Sequence, residues 1–152
     1  MVSASASAGP AFEGGGVKFG MRASFGAIEQ VRINPDDLEP MIMTIGQVKP
    51  KGICGSGMSD CLAELQASGV ISQNGKFNRE MVERTWRVRQ GEVGWEYVIC
   101  RAEESQLDED LAITEPDIDN LVRTKASIYA ACAVLLKSVG LQFTDIEKII
   151  IA

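Results

Sequence analysis

Two glycine-rich segments carry the residues best suited to chemistry. The first is Glu13-Gly14-Gly15-Gly16, and the second is Gly52-Ile53-Cys54-Gly55-Ser56-Gly57, which runs into an amphipathic pattern. A glycine loop that feeds a helix is a recipe for phosphate binding, because free backbone N–H groups meet the positive end of the helix dipole. Ser56 adds a hydroxyl donor to the second segment. That segment is not a Walker loop, since no Lys-Ser/Thr pair follows, and it is not G-x-G-x-x-G. The competing reading is a tight turn that lets a helix pack on a neighbouring backbone. Glu13 also has two readings: it can hold a hydrated Mg²⁺ or polarise a water, or it can cap a helix.

Composition removes other chemistries. The 152 residues include no histidine, which excludes Ser-His and Cys-His nucleophile pairs and His-bearing zinc sites. Cys54, Cys61, Cys100 and Cys132 are too widely spaced for a local zinc or iron–sulfur motif. Cys61 and Cys132 fall on apolar helical faces, where cysteine is expected as a small hydrophobe. With 15 basic against 21 acidic residues, the net charge of −6 argues against nucleic acid or an anionic membrane as partner. Neither a signal-peptide pattern nor an apolar run of about 18 residues is present, so a cytoplasmic setting is expected.

The elements that must position these residues read as α/β. Residues 27–33 alternate apolar and polar as a half-buried strand, Asn34-Pro35-Asp36-Asp37 is a turn, and 41–45 reads as the partner strand. Met58, Cys61, Leu62 and Leu65 define a helix face, with Gly69 placed to end that helix. A turn at Asn74-Gly75 follows, and residues 85–89 and 95–99 flank Gly91-Glu92-Val93-Gly94 as a β-hairpin. Trp86, Trp95 and Tyr97 in that hairpin read either as an aromatic platform or as cross-strand packing. The acidic run from Glu103 to Asp110 lacks calcium-loop spacing and reads as a solvated loop.

Thr114-Glu115-Pro116-Asp117 opens a long helix, with Thr114 as cap and the acidic residues at the positive end of the dipole. Its apolar stripe runs from Ile118 to Val139, and at 1.5 Å per residue the whole helix is about 36 Å long. Ile149-Ile150-Ile151 reads as a buried strand, parallel and central. An end there, and a start among small residues, suggest a piece of a longer protein. A severed sheet would leave an edge at Ile149–Ile151 through which two copies could pair.

Three segments carry a resemblance. They are residues 7–23 (Ser-Ala-Gly-Pro-Ala-Phe-Glu-Gly-Gly-Gly-Val-Lys-Phe-Gly-Met-Arg-Ala), residues 52–60 (Gly-Ile-Cys-Gly-Ser-Gly-Met-Ser-Asp), and the long helix from Ile113-Thr114-Glu115-Pro116-Asp117-Ile118 through to Asp145-Ile146-Glu147-Lys148-Ile149. In this order, over nearly the whole chain, they resemble the C-terminal part of the reductive activators of corrinoid proteins. Those activators belong to the superfamily of acetate and sugar kinases, heat-shock chaperones and actin (ASKHA).

The resemblance implies an α/β fold, part of an actin- or sugar-kinase-like ATPase lobe, with a mixed sheet, one long packing helix and an inserted β-hairpin. Residues 1–152 would be a single partial domain. It implies ATP and Mg²⁺ as cofactors of the parent protein, with an iron–sulfur cluster in an N-terminal domain that this chain lacks. The implied partner is the corrinoid protein of a methyltransferase system, whose cobalt(II) is returned to cobalt(I). Glu13 would serve metal or water, and Gly14, Gly15, Gly16, Gly52, Gly55, Ser56 and Gly57 would border the nucleotide cleft or its hinge. The chain also lacks the first phosphate-binding hairpin; the acidic strand-turn motif and the adenosine Gly-Gly motif would lie just beyond its two ends. Alone, it is expected not to hydrolyse ATP at a useful rate, since half a cleft loses its preorganisation. The rival readings are a docking or dimerisation module with exposed Trp86 or Trp95 and no nucleotide contact, and another ASKHA member such as a dehydratase reactivase or a metabolite kinase.

Overall fold

The computed structural model describes Ser5 and residues 9–148. The chain divides into two compact units, one formed by Pro10–Val122 and the other containing the residues from Arg123 onward. Nearly all of the buried core lies in the first.

In that unit, β1 (Ala27–Ile33) turns Val31 and Ile33 inward and leaves Gln30 and Arg32 exposed, as its alternation predicts. It pairs antiparallel with β2 (Pro40–Thr44), Val31 opposite Ile42, and parallel with the two-residue β3 (Gly52–Ile53). The result is a mixed three-stranded sheet, ordered β2-β1-β3. The intervening turn is built from side chains: Asn34 Oδ1 accepts from the Asp36 N–H at 3.0 Å, and Asp37 Oδ1 from the Glu39 N–H at 3.0 Å. α1 (Gly55–Ala67) packs on β1, burying Met58, Cys61 and Leu65 completely. Gly69 follows its end at φ +75°, the left-handed conformation expected there.

A second, antiparallel sheet holds β4 (Val88–Gly91), β5 (Gly94–Cys100) and β6 (Leu111–Thr114). β4 and β5 form the expected hairpin, with Gly91 opposite Gly94. The expected strand at residue 85 starts only at Val88. Thr85 Oγ1 accepts from the Arg87 N–H at 3.2 Å, and this local turn holds the chain out of the ladder. No aromatic platform forms. Tyr97 is fully buried opposite Val88, Trp95 lies opposite Gln90 beneath the Arg79 guanidinium, and Trp86 stays exposed before the strand, with the guanidinium groups of Arg87 and Arg101 over its ring.

Two contacts made by the buried side chains of Arg87 and Tyr97 fasten the second sheet to the β1–β2 turn. Arg87 forks the Glu39 carboxylate at 3.0 and 2.6 Å and donates to the Val98 carbonyl at 2.9 Å. The Tyr97 hydroxyl donates to the Leu38 carbonyl at 2.7 Å. Such contacts give the two sheets a fixed relation, because a buried polar group left without its partner costs more than the bond returns.

The long helix α2 (Glu115–Ser138) forms as expected, and its first turns bury Ile118 and Leu121 in the core of the first unit. In the other unit the helix ends at Gly140, φ +74°, with the Leu141 N–H donating back to the Leu136 carbonyl at 3.0 Å, a Schellman closure. Tyr129 stacks on Phe143 with ring centroids 4.8 Å apart. The rest of the stripe is largely open: Ile128 is 46% exposed and Val134 69%. Cys132, expected as a packed hydrophobe, is exposed for the same reason. The strand expected at Ile149–Ile151 lies outside the described residues.

Candidate functional site

The first glycine segment closes on itself. After a short 3₁₀ turn (Ala11–Glu13), the N–H groups of Glu13 and Gly15 both donate to the Pro10 carbonyl, at 3.0 and 2.9 Å. Gly14 then takes φ +93° and crosses Gly20 so closely that a β-carbon on it would stand 2.6 Å from the Gly20 carbonyl carbon. Only glycine allows that crossing. The chain leaves it beside β3: the Ile53 N–H donates to the Phe19 carbonyl and the Met21 N–H to the Ile53 carbonyl, both at 2.9 Å. β3 therefore has β1 on one side and the exit of the first glycine segment on the other.

From β3 the chain passes through Cys54 into α1, and here the two segments meet. A β-carbon on Gly55 would stand 2.6 Å from the Phe12 carbonyl oxygen, so the 3₁₀ turn carrying Glu13 lies directly against the start of α1. Cys54 gives that helix no side-chain cap. Its first intrahelical bond runs from the Met58 N–H to the Cys54 carbonyl at 2.9 Å, leaving the N–H groups of Gly55, Ser56 and Gly57 without an intrahelical partner.

Of the residues singled out from sequence, Glu13, Gly16 and Ser56 are exposed, while Gly14, Gly15 and Gly55 are half-buried. Gly52 and Gly57 are buried: Gly52 admits the Phe19 carbonyl and the Met21 side chain, and Gly57 admits the Ile28 carbonyl of β1. These two glycines shape the junction from beneath, and the exposed three form its surface.

Sequence reasoning missed what holds the loop. Asp117, 3% exposed, caps its own helix through one oxygen, which accepts from Thr114 N–H at 2.9 Å and Thr114 Oγ1–H at 2.7 Å; its other oxygen accepts from the Lys18 N–H at 2.9 Å. One turn later Asn120 Nδ2 donates to the Gly16 carbonyl at 2.7 Å. The Thr114-x-x-Asp117 spacing is a capping-box signal; nothing local signals the reach to Lys18.

Lys18 also pairs with Glu109 at 2.7 Å, and that hydrogen bond raises its pKa. The pair borders a polar groove of about 460 Å³ in which Arg89 bridges Glu96 and Asp110, each at 2.9 Å. The Ala102 N–H on Asp110, with Arg89 beside it, holds that carboxyl below the usual range. The expected acidic loop is thus partly an ion-pair network.

The domain described as the C-terminal domain of RACo, the ASKHA domain, matches residues 1–152. The chain belongs to this family. The corrinoid activation enzyme RamQ of Eubacterium limosum is 33% identical over 155 residues, covering 98% of this chain and 26% of RamQ. A solved structure of a reductive activator for corrinoid, iron-sulfur protein is 46% identical, with a TM-score of 0.86 over 94% of this chain and 22% of that one. The chain thus spans about a quarter of the length of these relatives. Its α/β architecture, with the mixed sheet, the long helix and the hairpin, is that of the ASKHA domain in the matched activator.

The thiols of this ASKHA-family chain do not suit an iron–sulfur cluster. Cys54, Cys61 and Cys100 are buried and Cys132 is exposed, and among the described residues no three metal-binding groups converge. Burial pushes the Cys61 thiol up to about 12 and the Cys100 thiol up to about 11, so both are protonated at neutral pH. Among the described residues no helix is long and apolar enough to cross a membrane.

Proposed function

We propose that this chain is a partial domain of a cytoplasmic, ATP-dependent reductive activator that returns the cobalt(II) form of a corrinoid protein to cobalt(I). The observation that carries the reading is the likeness, along 94% of the chain, to an activator of a corrinoid protein. The meeting of Glu13–Gly16 with the start of α1 supports it, because that junction is the part of the chain best suited to border a nucleotide. Exposed Ser56 and the uncapped amides of α1 suit phosphate oxygens, and the exposed Glu13 carboxylate suits a hydrated Mg²⁺. The buried glycines Gly52 and Gly57 allow the close packing that sets these groups in place.

The reaction would add one electron to cobalt, which an iron–sulfur centre elsewhere in the activator would supply. That transfer is uphill from ordinary donors. MgATP, held by the residues below, would supply the driving force through its differential affinity for two states of the activator–corrinoid complex. In this chain Glu13 would hold metal or water, Ser56 and the α1 amides would hold phosphate, and the glycine segments would hinge the cleft. The second half of the cleft comes from the remainder of the activator.

The test uses the full-length activator with its corrinoid protein and a low-potential reductant, followed by the corrinoid's optical spectrum. Cobalt(I) should accumulate only with MgATP, and Glu13→Ala should slow both its formation and ATP turnover. Reduction that proceeds equally without ATP removes the reading, and unchanged turnover in the Glu13 variant removes that residue's role. One observation favours a second reading, a docking module: Trp86 is 42% exposed beside Arg87 and Arg101. Capture of the corrinoid protein by a chain that does not respond to nucleotide would select it.

A further inference from the structure

We infer that Asp117 and Asn120, on the first turns of α2, are positioning residues that set the first glycine segment in its nucleotide-competent shape. The inference rests on the proposed nucleotide reading and assigns to that site two residues that lie far from the segment in sequence.

The grip has a polarity. Asp117 offers only acceptors, and it takes the Lys18 N–H at 2.9 Å while its other oxygen is committed to Thr114. Asn120 offers a donor, and it takes the Gly16 carbonyl at 2.7 Å. An acceptor and a donor, spaced by one helical turn, thus hold a carbonyl and an amide two residues apart in the loop. The segment between them needs such a grip. Gly16 sits at φ +75°, and glycine there has far more backbone freedom than any other residue. The Lys18–Glu109 pair is largely exposed and adds little. Burial leaves Asp117 3% exposed, so its carboxylate has no competing water and its geometry is fixed.

The experiment measures MgATP affinity of the full-length activator by calorimetry, alongside thermal midpoints and hydrogen exchange at the Lys18 amide. Asn120→Ala should weaken MgATP binding about fivefold, the size expected for one lost hydrogen bond, with the thermal midpoint unchanged and faster exchange at Lys18. Asn120→Asp should weaken binding further although it keeps the shape, because it turns an acceptor toward the Gly16 carbonyl. A role in packing alone predicts the reverse order, with Asp milder than Ala. Wild-type affinity in both variants overturns the inference and leaves the nucleotide reading intact, as does weakening that merely follows a lowered midpoint. A wild-type activator that does not bind MgATP overturns the nucleotide reading and this inference with it.

Discussion

Gly57 tests whether the second glycine segment is built for close packing. It lies in the first turn of α1, where a β-carbon would come within 3.0 Å of the Ile28 carbonyl oxygen and meet the Ile28 carbonyl carbon and Ile53 Cγ1 at 3.0 Å. Ile28 and Ile53 belong to the buried core, and the same Ile28 oxygen accepts the Cys54 N–H at 3.1 Å. In Gly57→Ala, α1 has to lift away from β1 to restore ordinary contact. Overpacking of this kind costs about 1–3 kcal/mol. Loss of the Cys54 bond adds about 1 kcal/mol, and the better helix propensity of alanine returns at most about 1 kcal/mol. The net expectation is destabilisation by about 1–3 kcal/mol, which lowers the urea midpoint by roughly 1 M. Unfolding is followed by the fluorescence of Trp86 and Trp95. Exposed Ser56, one residue earlier, is the control: Ser56→Ala should change stability by less than about 0.5 kcal/mol. A Gly57→Ala midpoint at or above wild type refutes the packing argument.

Two further outcomes follow from the charge and thiol environments. The Ile33 N–H and Arg32 hold the Glu64 carboxyl below its usual 4.5, as the Ala102 N–H and Arg89 hold Asp110 below its usual 3.8. Each contributes stability that is present above those values and lost as the pH falls through the depressed folded values. The urea midpoint should therefore drop below about pH 4.5, and a Glu64→Gln, Asp110→Asn double variant should flatten that drop; an equally steep drop in the variant contradicts the assignment. Iodoacetamide at neutral pH, read by mass spectrometry, should label exposed Cys132 first and reach Cys61 and Cys100 only on unfolding. Labelling of Cys61 as fast as Cys132 would contradict their burial.

Much of the fold was legible because it is written locally. The alternation of β1, the i, i+3, i+4, i+7 face of α1, the Gly91–Gly94 hairpin and the Thr114 cap all rest on neighbours in sequence. What escaped was non-local or too short to carry a period. β3 has two residues and takes its identity from β1 and from Phe19–Met21 on its flanks. β6 has four residues, all buried, and offers no alternation to read. Trp86 sits in a good strand pattern, yet the Thr85 hydroxyl turns the chain first. The helical stripe of α2 was plain, but sequence could not say that its later turns would remain exposed. At the candidate site the residue types were visible and their union was not. The contact of Gly55 with Phe12, and the grip of Asp117 and Asn120 on the loop, depend on long-range packing that no spacing rule encodes.

In the proposed function the two glycine segments form one nucleotide-facing surface. Hydrogen exchange of the full-length activator, with and without MgATP, reads that surface residue by residue. Residues 13–18 and 54–58 should gain protection together on adding MgATP. Protection confined to one segment, or absent from both while nucleotide is bound elsewhere, would contradict the account.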